Sequence, residues 1–228
     1  MNIILLILFI IIIVLFYKNK EFFGKKKEYY DVLIISPGGG GTTYLMNYFN
    51  NYINLQTNSM YDYDTLKHIS FNRLDELNNI NCGKILYLFN DPLLAIESHF
   101  RRNFKDRQIK KLGDPYDIAK FLSDDDKYRY YNEVINHNKD LYGFEKQFNF
   151  YLNNNNINKD IMFIDFNSIK KYNKKLCNFL QITQNSFGKL ENKLRASGYD
   201  EVPEKYKIIY NKLYKKIKKY DGFIKKNT

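Results

Sequence analysis

Cysteine and histidine are scarce in this chain of 228 residues, which has only Cys82, Cys177 and three histidines. The cysteines lie far apart, and neither has a histidine or a second cysteine at the spacing of metal ligands. The sequence therefore gives no basis for a zinc site or a disulfide framework. We expect two buried, reduced thiols and no metal.

Acidic residues are also in deficit, because 25 Asp and Glu face 36 Lys and Arg. The resulting positive field favours anionic small ligands, lipid headgroups or nucleic acid. A nucleic-acid partner is not expected, because the sequence shows neither a stacking motif nor a clustered basic face. The frequent Asn, Lys, Ile and Tyr are typical of an AT-rich genome, such as that of a large DNA virus or a protist.

The first residues form an unbroken apolar run from Ile3 to Tyr17. As a helix this run is about 22 Å long, and extending it to Phe23 brings it close to the thickness of a bilayer core. A signal peptide is the alternative, but no charge precedes the run and no small-x-small site follows it. We therefore predict a transmembrane anchor at residues 1–23 and a basic linker at 24–30.

Lysines follow the apolar run and none precedes it, which under the positive-inside rule places the rest of the chain on the cytosolic side of a single-pass membrane protein. The same lysines would also suit a solvated linker without a role in orientation. The remaining length corresponds to one domain, and we assign it to residues 31–228. The chain is expected to close on a basic helix from about Glu204 to Lys219, whose segment LYKKIKKY is a solvated amphipathic helix or touches anionic membrane.

Three apolar runs predict buried strands, and each is followed by a segment with helical spacing of its apolar residues. The runs are DVLIIS, KILYLF and DIMFIDF. Buried strands that alternate with helices imply parallel pairing with right-handed crossovers. The predicted fold is therefore an α/β three-layer sandwich with a central parallel sheet.

Four consecutive glycines stand between the first predicted strand and its helix, in the turn Ser36 to Thr43. Such a loop brings backbone N–H groups close to a phosphate, and the helix adds its positive N-terminal end. The same turn also occurs as bare packing geometry. It is not a Walker A loop because no lysine follows Gly41, and no GxGxxG-plus-acid pattern of a dinucleotide fold is present.

Two motifs resemble those of sulfotransferases that use PAPS (3'-phosphoadenosine 5'-phosphosulfate). The segment SPGGGGTTYL resembles the loop for the 5'-phosphosulfate, and FNDPLLAIESHFRR resembles the motif for the 3'-phosphate. A further helix-strand-helix, DLYGFEKQFNFYL to FLQI, is also similar, so the resemblance runs from about Asp31 to Leu213. It implies a P-loop-like fold with PAPS as cofactor, bound by Gly38, Gly39, Gly40, Gly41, Thr42, Thr43 and Ser98.

The resemblance has two departures, because Gly39 and Asn90 stand where the family has cations. A cation at the loop stabilises charge that develops on the bridging oxygen, and a bidentate arginine holds the 3'-phosphate. On a helix that begins near Pro92, Arg101 and Arg102 share a face with Ser98, and either could replace the second cation. The alternative is a solvated face on which Arg101 pairs with Glu97.

The stretch between the two motifs is where sulfotransferases often place a base and a helper lysine, and here it holds Lys67 and His68. A histidine accepts a hydroxyl proton near neutral pH. An ordinary surface histidine is the alternative reading, and Asp64 is the second choice of base.

The resemblance implies transfer of a sulfuryl group from PAPS to a hydroxyl of a carbohydrate, a tyrosine or a lipid. The missing cations favour a second hypothesis, a catalytically inactive membrane or virion protein of the same fold with a binding or structural role. Anchored sulfotransferases generally resemble lumenal Golgi enzymes, which conflicts with the cytosolic placement predicted from the lysines.

Overall fold

The computed structural model describes residues 29–50, 58–59, 66–112, 127–183 and 202–227. The predicted anchor at 1–23, the linker up to residue 28 and Asp64 lie outside the described residues. In the ranges that are described, no helix has both the length and the apolar character needed to cross a membrane.

The chain alternates short strands with helices. The strands are β1 (Leu33–Ile35), β2 (Lys84–Phe89), β3 (Asp160–Asp165) and β4 (Ile224–Lys225). The helices are α1 (Thr42–Asn50), α2 (Leu74–Asn79), α3 (Pro92–Arg101), α4 (Lys105–Leu112), α5 (Lys127–His137), α6 (Phe144–Asn153), α7 (Asn173–Leu180) and α8 (Glu204–Lys218). Single 3₁₀ turns span Leu66–His68 and Phe166–Ser168.

The strands form one sheet in the order β1-β2-β3-β4. The three predicted strands pair in parallel, with Ile34 opposite Leu86 and Leu86 opposite Met162. The short β4 pairs antiparallel with β3, with Ile224 opposite Met162. The predicted α/β class is thus confirmed, whereas the sheet is mostly rather than wholly parallel. Two residues after a basic helix carry too little pattern to be recognised as a strand.

Both faces of the sheet are buried under helices, as a parallel sheet requires. Alternate strand residues such as Ile35, Tyr87 and Phe163 belong to a core with apolar residues of α3 to α6 and α8. The intervening residues, such as Leu86 and Met162, belong to a second core with α1 and α7. The architecture is therefore helix layer, sheet and helix layer.

The junction between β2 and α3 follows directly from its sequence. Asp91 caps the helix, because its Oδ1 accepts the N–H of Leu93 at 2.9 Å, and Pro92 occupies the first turn. The capping stops β2 at Phe89 and leaves Asn90 at the carboxyl end of the strand. Asn90 therefore lies at the edge of the sheet where open α/β folds bind ligands.

The free edge of β1 is covered by side-chain and backbone hydrogen bonds. The Asn58 amide accepts the N–H of Ile34 at 2.9 Å and donates to the Ile34 carbonyl at 3.3 Å. Further along, the N–H of Ser36 donates to the Lys67 carbonyl at 2.9 Å. These bonds protect the edge from pairing with another chain and bring the Leu66–His68 turn beside the end of β1.

Candidate functional site

The turn between β1 and α1 adopts a backbone that only glycine accommodates easily. Gly38, Gly39 and Gly41 have φ values of 95°, 70° and 81°. This left-handed region costs little for glycine and is unfavourable for residues with a Cβ. The path of the backbone therefore requires glycine at these positions, whether or not a ligand binds there.

Neighbouring elements press closely on the same glycines. A Cβ at Gly38 would lie 2.7 Å from the Gln108 side chain, and one at Gly41 would lie 2.6 Å from Phe166. A Cβ at Gly39 would lie 2.8 Å from the Cα of Ala95 in α3. A lysine at position 39, where the sulfotransferase motif has its cation, would therefore collide with the backbone of α3.

Hydrogen bonds hold the turn in shape. The Ser36 hydroxyl lies 2.6 Å from Oγ1 of Thr42 and accepts the N–H of Gly38 at 3.1 Å. Gln108 donates from Nε2 to the Pro37 carbonyl at 2.8 Å. The Thr42 hydroxyl thus closes the turn itself, whereas Thr43 is exposed.

His68 lies directly against this turn. Its Nδ1 is 2.7 Å from the Ser36 carbonyl oxygen, and because a carbonyl only accepts, Nδ1 carries the proton of the neutral ring. Burial lowers the pKa of His68 from 6.5 to about 4, against the opposing effect of the Ser36 hydrogen bond. His68 is therefore neutral at pH 7, and Nε2 is left with the lone pair.

Three cations act on the His68 ring from three different elements. The charges of Lys67, Arg107 and Arg102 add to the lowering of its pKa. Lys67 is buried in the 3₁₀ turn, whereas Arg102 follows α3, Arg107 lies in α4 and both are exposed. The glycine turn thus lies in a strongly positive corner of the sheet edge, although the sequence motif lacks its own cations.

Ser98 is the buried side chain in α3 whose hydrogen bonding is incomplete. It is 3% exposed, and its Oγ has no hydrogen-bond partner among the described residues. Buried hydroxyls are nearly always paired, because an unpaired one costs free energy. The Nε of Arg102 donates to the backbone carbonyl of Ser98 at 3.0 Å rather than to its hydroxyl. The Ser98 hydroxyl therefore has unused bonding capacity, as does the buried Tyr206 hydroxyl in α8.

Asn90 lies against the turn from the β2 side, since a Cβ at Gly40 would be 3.5 Å from its Oδ1. The glycine turn, Lys67, His68 and Asn90 therefore meet at one edge of the sheet. The charge of Arg102 acts on the His68 ring at this edge. We call Ser36–Thr43, Lys67, His68, Ser98, Arg102, Arg107 and Gln108 the glycine-loop corner.

Arg107 and Gln108 were not found from the sequence. They reach the corner because the chain reverses between α3 and α4 at Asn103, which has φ 53°, and the N–H of Phe104 bonds to the His99 carbonyl at 2.9 Å. The amphipathic pattern of the basic segment KDRQIKKL indicates a helix, but it does not indicate the direction in which that helix runs relative to α3. Among the described residues, no group of three or more His, Cys, Asp or Glu is arranged to hold a metal ion.

Comparisons with family models, with curated proteins and with solved structures give no match for the chain. A functional hypothesis therefore depends on the geometry of the glycine-loop corner and on the motifs within it.

Proposed function

We propose that the glycine-loop corner binds PAPS, and that the chain is a membrane-anchored sulfotransferase-like protein that transfers a sulfuryl group to a hydroxyl of a carbohydrate, a tyrosine or a lipid. The observation that carries the proposal is that the charges of Lys67, Arg102 and Arg107 act together on His68, whose ring lies against the glycine turn at the carboxyl edge of the sheet. Open α/β sheets bind phosphorylated ligands at this edge.

The residues fit the two charged ends of such a ligand. The N–H groups of the turn and the N-terminus of α1 suit the 5'-phosphosulfate. The unpaired hydroxyl of Ser98 and the nearby Arg102 suit the 3'-phosphate. When bound, PAPS supplies an activated sulfuryl group attached to a phosphate leaving group.

Lys67 and Arg107 take the role of the loop cation that is missing at Gly39, as Arg102 takes that of the cation missing at Asn90. Transfer moves negative charge onto the oxygen that leaves with the phosphate, and a positioned donor is worth about 3 kcal/mol of barrier. The buried Lys67 is the stronger choice for this role, because its surroundings screen the charge less than water does.

His68 accepts the proton of the acceptor hydroxyl at Nε2. The Ser36 carbonyl holds the proton on Nδ1, which keeps Nε2 in the accepting form. In the ligand-free protein, a pKa of about 4 makes the His68 ring a weak base. The negative charge of bound PAPS raises this pKa, because it offsets the positive charges of Lys67, Arg102 and Arg107. With PAPS held by the turn, Ser98 and Arg102, the deprotonated acceptor oxygen would take the sulfuryl group, and adenosine 3',5'-bisphosphate would be released.

Calorimetry of the full chain in detergent micelles tests the site. We expect adenosine 3',5'-bisphosphate to bind more tightly than ATP, and Arg107→Gln or Arg102→Gln to weaken binding by about 1.5 to 3 kcal/mol, as for a lost charge-assisted hydrogen bond. Arg101→Gln is the matched control, because Arg101 is exposed at the end of α3 beside Arg102 and is not among the cations that lower the pKa of His68. Absence of binding at millimolar bisphosphate contradicts the proposal.

A second candidate function is binding without catalysis. It is favoured by the contact of Gly39 with Ala95, which leaves no room for a cation at the loop position of the motif. Release of bisphosphate from PAPS distinguishes the two functions. The chain is a binding protein if it binds the bisphosphate but releases none from PAPS when sugar, tyrosine and lipid hydroxyls are present.

We further propose that residues 1–23 anchor the chain and that residues 31–228 lie on the cytosolic side. This placement rests on the lysines that follow the apolar run. Protease digestion of intact membranes tests it, because a domain that is cut only after detergent is added lies on the lumenal side.

A further inference from the structure

The outward face of α8 carries a line of lysines. The helix buries Tyr206, Tyr210, Leu213 and Ile217. At 3.6 residues per turn, the opposite face carries Lys205, Ile208, Lys212, Lys215 and, just past the helix end, Lys219, all of them exposed. We call Lys205, Lys212, Lys215 and Lys219 the lysine stripe.

The stripe differs from the lysines at its sides in having no counter-charge. Lys207 lies 3.8 Å from Glu204, Lys216 lies 2.6 Å from Glu145, and Lys218 lies 3.5 Å from Asp165. The four stripe lysines form no ion pair with any residue that the structure describes. The flanking lysines serve the fold, whereas the stripe leaves four charges for an external partner.

The shape of the stripe indicates an extended partner. Lys205 and Lys219 are fourteen residues apart, so the stripe is about 21 Å long. Ile208 lies within it and is 43% exposed. An isolated apolar side chain among lysines suits the boundary between lipid headgroups and acyl chains. Surfaces that bind nucleic acid typically present arginine and exposed aromatic rings, and the lysine stripe has neither.

We infer that the lysine stripe docks the domain on an anionic lipid surface, with Ile208 at the level of the headgroups. The apolar run Ile3–Tyr17 of the same chain supports a bilayer as the partner. Lysines near an anionic leaflet are attracted by the surface potential, and the attraction falls off within a Debye length. This inference does not depend on the ligand of the glycine-loop corner.

Lysine footprinting of the full chain in vesicles tests the inference. A membrane-impermeant acylating reagent is applied to chain in phosphatidylcholine vesicles and in vesicles that also contain phosphatidylserine, and the labelled lysines are identified by mass spectrometry. We expect labelling of the stripe to fall about fivefold or more in the anionic vesicles, the factor that corresponds to the attraction of one lysine. High salt restores the labelling.

Lysines elsewhere provide the internal control. Lys170, Lys171, Lys174 and Lys175 are also exposed and lie before and within α7, on the other side of the sheet. Their labelling is expected to be the same in both kinds of vesicle. Equal labelling of the stripe in both lipids, equal protection of the α7 lysines, or failure of the chain to join anionic vesicles would overturn the inference.

Two variants with the same change in net charge test whether protection depends on the position of the lysine stripe or only on the total charge of the chain. In the unchanged chain, Lys216 and Lys218 beside the stripe are also expected to be labelled less in anionic vesicles, and with the stripe changed to Gln at all four positions they are expected to lose that protection. The same change at the four α7 lysines removes equal charge and is expected to leave the protection intact. Stronger protection of the stripe by a DNA duplex than by anionic vesicles would assign the surface to nucleic acid and defeat the lipid proposal.

Discussion

The glycine-loop corner differs in its hydrogen bonding from the buried set Tyr130, Asp140, Tyr206 and Tyr210, which we call the tyrosine-rich layer. Between α5, α6 and α8, the Tyr130 and Tyr210 hydroxyls lie 2.7 Å apart, and Tyr210 donates to Asp140 at 3.0 Å. Asp140 also accepts two backbone N–H groups. The bonds among Tyr130, Tyr210 and Asp140 stabilise the fold, although the buried Tyr206 hydroxyl beside them has no partner among the described residues. In the glycine-loop corner, the Ser98 hydroxyl likewise has no partner among the described residues, and here the charges of three cations act on His68. Spare bonding capacity next to positive charge can hold an anionic ligand.

The largest effect is expected in the tyrosine-rich layer. Asp140→Ala leaves the N–H groups of Tyr142 and Glu145 and the Tyr210 hydroxyl without their acceptor, so we expect a loss of about 3 to 5 kcal/mol of unfolding free energy. Denaturant titration measures it. Asp75→Ala, at an exposed position, is the control and should change stability by less than about 0.5 kcal/mol. A loss below 1 kcal/mol at Asp140 contradicts the structural role.

The second prediction concerns acid stability of the glycine-loop corner. The folded pKa of His68, about 4, lies below the unfolded value of 6.5, so the unfolded chain binds the proton more readily. The stability from a neutral His68 is present in full above pH 6.5 and is lost as pH falls through 4. The total is about 3 kcal/mol. His68→Gln should flatten this part of the pH profile, and an unchanged slope argues against a buried neutral ring.

The third prediction addresses the glycine turn. Gly39→Ala should cost about 2 kcal/mol, because it combines a left-handed backbone with a Cβ 2.8 Å from Ala95. Gly83→Ala is the control, since a Cβ there meets nothing within 4 Å. Thermal unfolding of the two variants checks the difference. Equal melting temperatures would mean that the turn relaxes and that the close contact is not required.

The smallest effects give the sharpest contrast between the two regions. Tyr210→Phe should lower stability by about 1 to 2 kcal/mol, because its hydroxyl bonds to Tyr130 and Asp140, without changing bisphosphate binding. Ser98→Ala should leave stability almost unchanged, because no hydrogen bond is lost, but should weaken bisphosphate binding by about 1 kcal/mol. If calorimetry and denaturation instead show that Tyr210→Phe weakens binding and Ser98→Ala lowers stability, the roles assigned to the two regions are wrong.

The sequence predicted those parts of the fold that depend on local pattern. The three parallel strands lie within the apolar runs, and α8 spans Glu204–Lys218, close to the predicted basic helix. The antiparallel β4 was missed because Ile224–Lys225 forms only through its long-range pairing with β3. Local pattern contains no information on such pairing.

The sequence pointed to the glycine turn and to two of the three cations that act on His68, Lys67 and Arg102, but not to Arg107. The glycine turn, Ser98 and the Lys67–His68 pair carried signals in order and spacing. Arg107 and Gln108 reach the turn only because the chain reverses at Asn103. The tight contact of Gly39 with Ala95 is likewise a property of how α3 packs over the turn, and it explains why a loop cation cannot occupy that position.

The most direct test of the central claim is an NMR titration of the His68 ring with and without adenosine 3',5'-bisphosphate, with the signal assigned by His68→Gln. An anion bound in the glycine-loop corner offsets the charges of Lys67, Arg102 and Arg107. We expect the pKa of His68 to rise from about 4 by about one pH unit or more at saturating ligand. Identical titration curves at millimolar bisphosphate would contradict an anion site at this turn.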